Sequence, residues 1–335
     1  MHFRPPRCAH ADCPSRKGTS FQWRRRGTYT RKCDGQVVPR FQCLACSRGF
    51  SRQTFRLDFR LRKTELHFGL FDLLISKVTH RQSARLLGCN RKTVHHRLKL
   101  LAAHTRAYQD QLLERAKAKG GLPGSFQFDE LETFEHDRRL CPVTMPVLIE
   151  TKSYFVVDVA VGTLPARGKL APRHKERKEA RVAAEGKRRN GSRAAVESCI
   201  RKLAKVLPDE KRVVIATDHK TSYGAILRNE LGARVTHVQH SSTAQRSFNN
   251  PLFPINHTLA MLRDGVSRLV RRNWGASKKR EWLARHAWVW IAYRNYVRSI
   301  TNHAKKTSSA MALGLVPDLL TSADLFTWRL SGMTT

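Results

Sequence analysis

Two pairs of cysteines near the start of the chain constrain its fold most strongly. Cys8 and Cys13 form a C-x4-C pair, and Cys43 and Cys46 form a C-x2-C pair about thirty residues later. Each pair can supply two thiolates from a tight turn, and a hairpin between the pairs would complete a tetrahedral Zn²⁺ site. Because a segment of this size buries too little apolar surface, metal binding would supply its folding energy. Residues 1–56 are therefore predicted to form a zinc ribbon.

Two other residues in this segment are weaker candidates for metal binding. We expect Cys33 to be a small buried residue, although it is also an alternative to a member of either pair, and His10 is a rival ligand. Five of the eight cysteines precede residue 47. Such clustering indicates metal binding in a reducing compartment rather than a disulfide scaffold, and unrelated reduced cysteines are the remaining alternative.

The excess of basic residues points to a polyanionic partner. Lys and Arg number 63 and Asp and Glu number 26, which gives a formal net charge of +37. Because like charges repel within a compact fold, we expect a long polyanion as the partner, and nucleic acid is the default choice. A ribosomal or generic nucleic-acid-coating protein is the alternative, and an anionic membrane surface is less favoured. The sequence contains neither a secretory signal nor an apolar stretch of membrane-spanning length, so we expect a cytoplasmic, nucleoid-associated protein that does not bind membranes.

Residues 64–118 have apolar side chains at helical spacing and are predicted to form a helix-turn-helix domain. Gly88 suits the tight turn and Asn90 can cap the second helix. The small core between the helices is predicted to contain Ala84, Leu87, Val94 and Leu98. The outer face of the second helix, which would contact DNA, is predicted to carry Arg91, Lys92, His95, His96 and Arg97. An ordinary helical hairpin with a solvated basic face is the alternative.

A Gly- and Pro-rich linker precedes a segment with strand-like patterns, residues 124–300. Asp129 lies in its first strand, FQFDELETF, and Asp218 follows the buried strand RVVIAT. Residues at the carboxyl end of a buried strand face a cleft. Two carboxylates there can bind two Mg²⁺ ions, which would activate the attacking oxygen and stabilise the leaving oxygen of a phosphodiester. As an alternative, an aspartate at a strand end caps the next helix.

The elements after the linker follow the RNase H-like order: three strands, a helix, a strand, a helix, a strand and a long helix. We therefore predict a multidomain chain whose α/β catalytic domain contains a mixed five-stranded sheet. Residues 165–193 form a basic insertion, with eleven Lys or Arg residues and three Glu residues. This insertion either follows flanking DNA or is disordered. Residues 301–335 form a C-terminal tail.

Five motifs are spread over most of the chain, namely RFQCLACSRGFSRQTFR, FDELETF, ATDHKTSY, INHTLAMLRDGVSRLVRR and KKTSSAMALGL. In their order and spacing they resemble bacterial insertion-sequence transposases of the DDE class, those with an N-terminal zinc ribbon and a helix-turn-helix. The resemblance implies a DNA transposase that cleaves and joins DNA with Mg²⁺ or Mn²⁺. It also implies a homo-oligomer that binds double-stranded DNA, both at the element ends and at the target.

The family's third acidic residue is missing from this chain. Where the family has Glu, at the start of the helix after the fifth strand, this chain has Asn256. An amide oxygen can bind Mg²⁺, but the neutral side chain cannot act as a base. Asp264, two turns further along the helix, is a substitute candidate unless it pairs with Arg263 or Arg268. A catalytically inactive DNA-binding regulator derived from a transposase is therefore the alternative function.

Overall fold

The computed structural model describes residues 3–17, 20–241, 247, 249–270, 275–301 and 306–330. The chain divides into two compact units, the first made of residues 1–68 and 322–335 and the second of residues 69–321. These units differ from the four predicted segments, because the helical segment and the predicted catalytic segment share one unit and the tail is divided. Some predicted features lie outside the described residues, namely Arg271 and Arg272 of the INHTLAMLRDGVSRLVRR motif, Lys305 of the KKTSSAMALGL motif, and residues 302–305 and 331–335 of the predicted tail.

The first unit is built on a three-stranded antiparallel sheet. Its strands are β1 (Trp23–Thr30), β2 (Val37–Cys43) and β3 (Gly49–Ser51), in the order β1-β2-β3. The small core inside this unit combines aromatic rings with thiols, and it contains Phe41, Phe50, Phe55, Cys8, Cys13 and Cys43. An antiparallel hairpin between the two cysteine pairs is the arrangement that their spacing predicts.

A segment from the far end of the chain completes the first unit. It begins with a short helix, Ser322–Phe326. The backbone N–H of Leu57 then donates to the carbonyl of Thr327 at 3.0 Å, and the N–H of Arg329 donates to the carbonyl of Phe55 at 2.8 Å. This return could not be predicted from the sequence, because the pairing joins residues that are far apart along the chain.

Three helices precede the large sheet, namely α1 (Leu66–Ile75), α2 (His80–Leu86) and α3 (Arg91–Lys117). The turn between α2 and α3 contains Gly88, whose φ of +56° favours glycine. Asn90 ends this turn, and its side chain accepts a hydrogen bond from the N–H of Lys92 at 2.8 Å. Ala84, Val94 and Leu98 are buried. Leu87, the fourth residue predicted for this core, is half-buried. The turn itself lies where the sequence predicts it.

The second unit contains a six-stranded mixed sheet. Its strands are β4 (Ser125–Phe134), β5 (Pro142–Glu150), β6 (Val156–Val159), β7 (Gly162–Thr163), β8 (Val213–Thr217) and β9 (Val235–Gln239). The order is β6-β5-β4-β8-β9, with β7 paired to β5. β4, β5 and β6 are antiparallel, whereas β8 and β9 run parallel to β4. The prediction of five strands missed β7, because two residues are too few to show an alternating pattern.

Helices cover both faces of this sheet. They are α4 (Pro172–Glu185), α5 (Ser192–Val206), α6 (Ser222–Leu231), α7 (Phe253–Gly265), α8 (Arg280–Ala292) and α9 (Ser309–Ala312). α5 and α6 supply Ser192 and Tyr223, which bond to Glu130, whereas α7 bonds to Gln127. Because side chains alternate along a strand, residues 127 and 130 point to opposite faces, and so α7 lies on the face opposite α5 and α6.

The basic insertion is partly helical, which answers the alternative that it is disordered. Pro172 occupies the first turn of α4, where its missing N–H is tolerated, and Gly186 ends the helix with a φ of +78°. Apart from β7 and α4, the elements follow the predicted order of three strands, helix, strand, helix, strand and helix. Across the described residues, we find no helix with both the length and the apolar character needed to cross a membrane.

Candidate functional site

Asp129 and Asp218 both lie just beyond the segment in which β4 and β8 pair. These parallel strands pair as far as Gln127 with Ala216. Asp129 lies on β4 two residues after Gln127, and Asp218 lies two residues after Ala216, directly after the end of β8. Adjacent strands are about 4.8 Å apart. The parallel pairing therefore places both acids beyond the same end of the paired segment, although three strands and two helices separate them along the chain.

Asn256 lies on the helix that covers the same face of the sheet as Asp129. Side chains two residues apart on a strand share a face, so Asp129 shares the face of Gln127. The Gln127 side chain accepts a hydrogen bond from the N–H of Ile255 at 3.0 Å and donates one to the carbonyl of Pro251 at 2.7 Å. These bonds fix the first turn of α7 against β4. Asn256, the next residue after Ile255, is half-buried.

Backbone amides hold one oxygen of each aspartate. The N–H of Glu130 donates to Oδ1 of Asp129 at 2.7 Å, and the N–H of Lys220 donates to Oδ1 of Asp218 at 3.2 Å. Both aspartates are half-buried. Burial raises the pKa of the Tyr223 hydroxyl, and the charges of Glu130, Asp129 and Asp218 raise that pKa further. Both aspartates therefore lie close enough to the Tyr223 hydroxyl to influence its pKa.

Glu130 points away from Asp129, as alternation predicts, and anchors the other side of the site. Its side chain is 8% exposed and forms an ion pair with the ammonium group of Lys220. It also accepts hydrogen bonds from the hydroxyls of Ser192 at 2.7 Å and Tyr223 at 3.0 Å. Because Lys220 belongs to the loop that follows β8, this ion pair ties that loop to β4. These partners could not be predicted from the sequence, because they come from three separate elements.

The donor chemistry of these residues fits Mg²⁺. The two aspartates offer carboxylate oxygens and Asn256 offers an amide oxygen, and Mg²⁺ prefers hard oxygen ligands. Two carboxylates at neighbouring strand ends are suited to two ions about 3.5–4 Å apart. In the described part of the chain, the one cluster of at least three His, Cys, Asp or Glu donors within 4.8 Å is made of cysteines. The proposed catalytic site contains only two residues of these types, because its third residue, Asn256, carries an amide.

Two other acids near the proposed catalytic site, Asp264 and Glu132, form ion pairs with basic residues. Asp264 has a side chain that is 79% exposed and pairs with Lys77 at 3.1 Å, not with Arg263 or Arg268. It lies eight residues after Asn256, which is about 12 Å along a helix. The side chain of Glu132 is exposed and pairs with an arginine of the basic insertion at 2.8 Å. Neither observation favours a role as ligand to a metal held by the two aspartates.

The four predicted cysteine ligands converge in the first unit. The sulfur atoms of Cys8, Cys13, Cys43 and Cys46 all lie within 4.8 Å of one another. Cys8 and Cys46 are 3.7 Å apart, and Cys13 and Cys43 are 3.6 Å apart. A tetrahedral ion with Zn–S bonds of about 2.3 Å requires sulfur atoms about 3.8 Å apart. The four thiols therefore have the spacing of a structural Zn²⁺ site.

The weaker candidates in this segment lie outside the thiol cluster. Cys33 is exposed, which corrects the expectation that it is buried, because it lies in the turn that joins β1 to β2. His10 directs Nε2 to the carbonyl of Gly49 at 3.2 Å. Neither residue belongs to the group of four converging sulfur atoms.

One predicted DNA contact on α3 requires correction. Arg91, Lys92 and His96 are exposed and His95 is half-buried, whereas Arg97 is only 4% exposed. At 100° per residue, position 97 falls on the apolar face of the helix rather than on the outer face. Arg97 is therefore not part of the exposed surface of α3.

The exposed surface of α3 is continuous with two residues of α8. The ring of His95 lies 4.8 Å from the ring of Trp282, and the guanidinium of Arg285 lies 4.5 Å from the same ring. A cavity of about 320 Å³ is lined by Lys92, His95, His96, Lys99, Trp282 and Arg285. The contribution of Trp282 and Arg285 to this surface could not be predicted from the sequence, because the packing of α3 on α8 joins distant parts of the chain.

Comparison with known proteins gave distant structural likenesses only. No family model and no curated protein matches the chain. The catalytic domain of Mos1 mariner transposase is 15% identical over 58% of this chain and 87% of that chain, with a TM-score of 0.24. The Mos1 mariner paired-end complex with Mn is 13% identical over 64% of this chain and 70% of that chain, with a TM-score of 0.23. At such TM-scores, these likenesses carry no inference about the fold or function of this chain.

Proposed function

We propose that this chain is a DNA transposase of the DDE class, whose RNase H-like domain cuts and joins DNA with Mg²⁺ or Mn²⁺. Asp129, Asp218 and Asn256 would hold the metal ions. The observation that supports the proposal is that both aspartates lie beyond the same end of the paired segment of β4 and β8, and that the first turn of α7 bonds to β4. Bound metal would supply the positive charge that phosphodiester cleavage and joining require. The protein's part is to fix both carboxylates through the neighbouring backbone amides.

The proposal extends to two DNA-binding modules. A helix-turn-helix made of α2 and α3 would present Arg91, Lys92, His95 and His96 to DNA, and the net charge of +37 supports a polyanionic partner. The first unit would be a ribbon that folds around Zn²⁺, which the sulfur spacing supports. We also propose that the protein acts as a homo-oligomer on element ends and target DNA.

A cleavage assay tests the catalytic proposal. The purified protein is incubated with Mg²⁺ or Mn²⁺ and DNA that contains the inverted repeats flanking its reading frame. We expect 3′-OH ends and joined products, and we expect Asp129→Asn and Asp218→Asn to abolish both. Asp264→Asn is the matched control, because it removes the same charge from an exposed side chain and should keep full activity. Unchanged activity in either site variant would refute the assignment.

A second function has one observation in its favour. The third position of the site is Asn256, a neutral residue that cannot act as a base. A DNA-binding regulator that has lost nuclease activity would bind DNA in a salt-dependent manner and show no metal-dependent nicking. In that case, Asn256→Glu would restore the acid of the family motif, and we would expect this variant to recover cleavage.

A further inference from the structure

A basic cavity lies beyond the end of β4, at the opposite end of that strand from its pairing with β8. Its volume is about 680 Å³. Its lining contains five cationic side chains, namely Arg177, Arg181, Arg188, Lys278 and Arg280. Only two carboxylates, Glu135 and Glu185, are part of that lining. The cavity therefore carries three positive charges in excess and attracts an anion.

The base of the cavity is a buried carboxylate that joins two distant segments. The side chain of Glu135 is 9% exposed. It accepts hydrogen bonds from Nη2 of Arg188 at 2.9 Å and from the backbone N–H of Arg280 at 2.7 Å. Arg188 follows the insertion helix α4, and Arg280 begins α8. Glu135 thus fixes both arginines at the floor of the cavity.

The wall formed by α4 is fixed as well. Nη2 of Arg177 donates to Asp137 at 2.6 Å. Arg181 donates from Nη1 to the sulfur of Cys141 at 2.8 Å and from Nη2 to Glu185 at 2.9 Å. Each guanidinium has five N–H donors in a rigid plane, so an arginine held by one partner keeps donors for a second. Arginines arranged in this way suit the bidentate recognition of phosphate.

The position of the cavity along β4 relates it to the two aspartates. Glu135 lies six residues after Asp129. At about 3.3 Å per residue, this separation is about 20 Å along the strand. One strand of B-DNA advances about 3.4 Å per nucleotide along the helix axis. For a duplex whose axis runs along β4, 20 Å therefore corresponds to about six nucleotides.

We propose that this cavity binds the phosphate backbone of DNA, about six nucleotides from the phosphodiester held at Asp129 and Asp218. The six-nucleotide spacing rests on the proposed function, whereas phosphate binding by the cavity does not. The basic insertion would then be a clamp on the DNA, with Glu135 as the residue that positions its floor.

The first experiment measures DNA binding without cleavage. Binding of the full chain to a DNA duplex is measured in EDTA over a range of salt concentrations, for the wild type, Arg177→Gln and Lys175→Gln. Lys175 is the matched control, because it is exposed on the same helix but is rotated by about 200° from Arg177. Because log K falls as log salt rises, we expect Arg177→Gln to make this negative slope less steep by about 0.9, the value for one lost phosphate contact.

The two variants separate a phosphate site from general electrostatics. Lys175→Gln should leave the slope within error of the wild type, and both variants should keep the thermal midpoint of the wild type. Equal slope changes in the two variants, or no change in Arg177→Gln, would overturn the proposal. A second variant, Lys278→Gln, tests the cavity from the side of α8 and should give the same loss as Arg177→Gln.

The second experiment locates the phosphate. Single methylphosphonate groups, which remove one backbone charge, are placed along the duplex. We expect the wild type to lose affinity at one position about six nucleotides from the cleaved bond, and Arg177→Gln to be insensitive at that position. If no cleavage occurs in the assay with Mg²⁺, an affinity loss at one position that Arg177→Gln abolishes still supports phosphate binding. Identical interference profiles for the two proteins would contradict it.

Discussion

The two units of the molecule maintain their folds by different means. The core of the first unit is a few aromatic rings packed beside four thiols, of which Cys8 and Cys43 are fully buried. In the second unit, every residue of β5 after Pro142 is buried, and α5 adds a second apolar face. A small core is often completed by a bound ion, whereas a sheet covered on both faces buries enough apolar surface without one. We therefore expect the fold of the first unit, but not that of the second, to depend on bound metal.

The largest expected effect separates the units by metal removal. Cys43→Ser, or chelation of Zn²⁺, should unfold the first unit, because structural Zn²⁺ binding contributes on the order of 10 kcal/mol in small metal-dependent folds. Limited proteolysis should then cut within residues 20–68, while the unfolding midpoint of the second unit stays unchanged. Cys33→Ser is the control, since Cys33 is exposed and outside the thiol cluster. An equal effect of both substitutions would contradict the assignment.

The second prediction concerns a carboxylic acid inside the sheet domain. Burial raises the pKa of Asp158 to about 7, from an ordinary value of 3.8. The folded state therefore binds this proton more tightly than the unfolded state, and stability falls as the pH rises from about 4 to 7. The expected loss is about 4 kcal/mol at roughly 1.4 kcal/mol per pKa unit. Urea unfolding of the second unit should show this decline, and Asp158→Asn should abolish it; a decline that persists in the variant would reject this account.

The third prediction concerns apolar side chains on β8, in the sheet of the second unit. Ile215 on β8 is fully buried, whereas Val214, its neighbour on the same strand, is 42% exposed. Ile215→Ala should lower the free energy of unfolding of the second unit by about 3 kcal/mol, because it leaves a cavity in a packed sheet. Val214→Ala should change it by less than about 1 kcal/mol. Neither variant should alter the Zn²⁺ content, measured by metal analysis, and a loss of zinc in either would show that the two units are not independent.

The smallest expected effect on stability lies at the candidate site. Glu130→Gln should destabilise the second unit by about 1–3 kcal/mol, because it weakens the bonds to Lys220, Ser192 and Tyr223. As Lys220 belongs to the loop that carries Asp218, the Mn²⁺ concentration for half-maximal cleavage should also rise. Glu132→Gln, a change at an exposed side chain, should move neither quantity. A stability change without any change in metal dependence would make Glu130 a structural residue only.

Features that are local in sequence were the ones that sequence reasoning could predict. The cysteine pairs and the turn at Gly88 depend on neighbouring residues, and the structure has both of them where the pattern indicates. The burial of Arg97 was missed because a basic residue was assigned to the outer face without regard to its helical phase. The partners of Glu130 and the cavity at Glu135 were missed because they depend on pairing between distant segments.

The return of residues 322–330 to the first unit has a consequence for the order of folding. Phe55 and Leu57 obtain their backbone partners from residues 329 and 327, which the ribosome adds more than 250 residues later. During synthesis, the intervening sheet has time to assemble before Phe55 and Leu57 gain these partners. The first unit is therefore completed only after the strands and helices of the second unit have been synthesised, even though its own sheet comes before them in the chain.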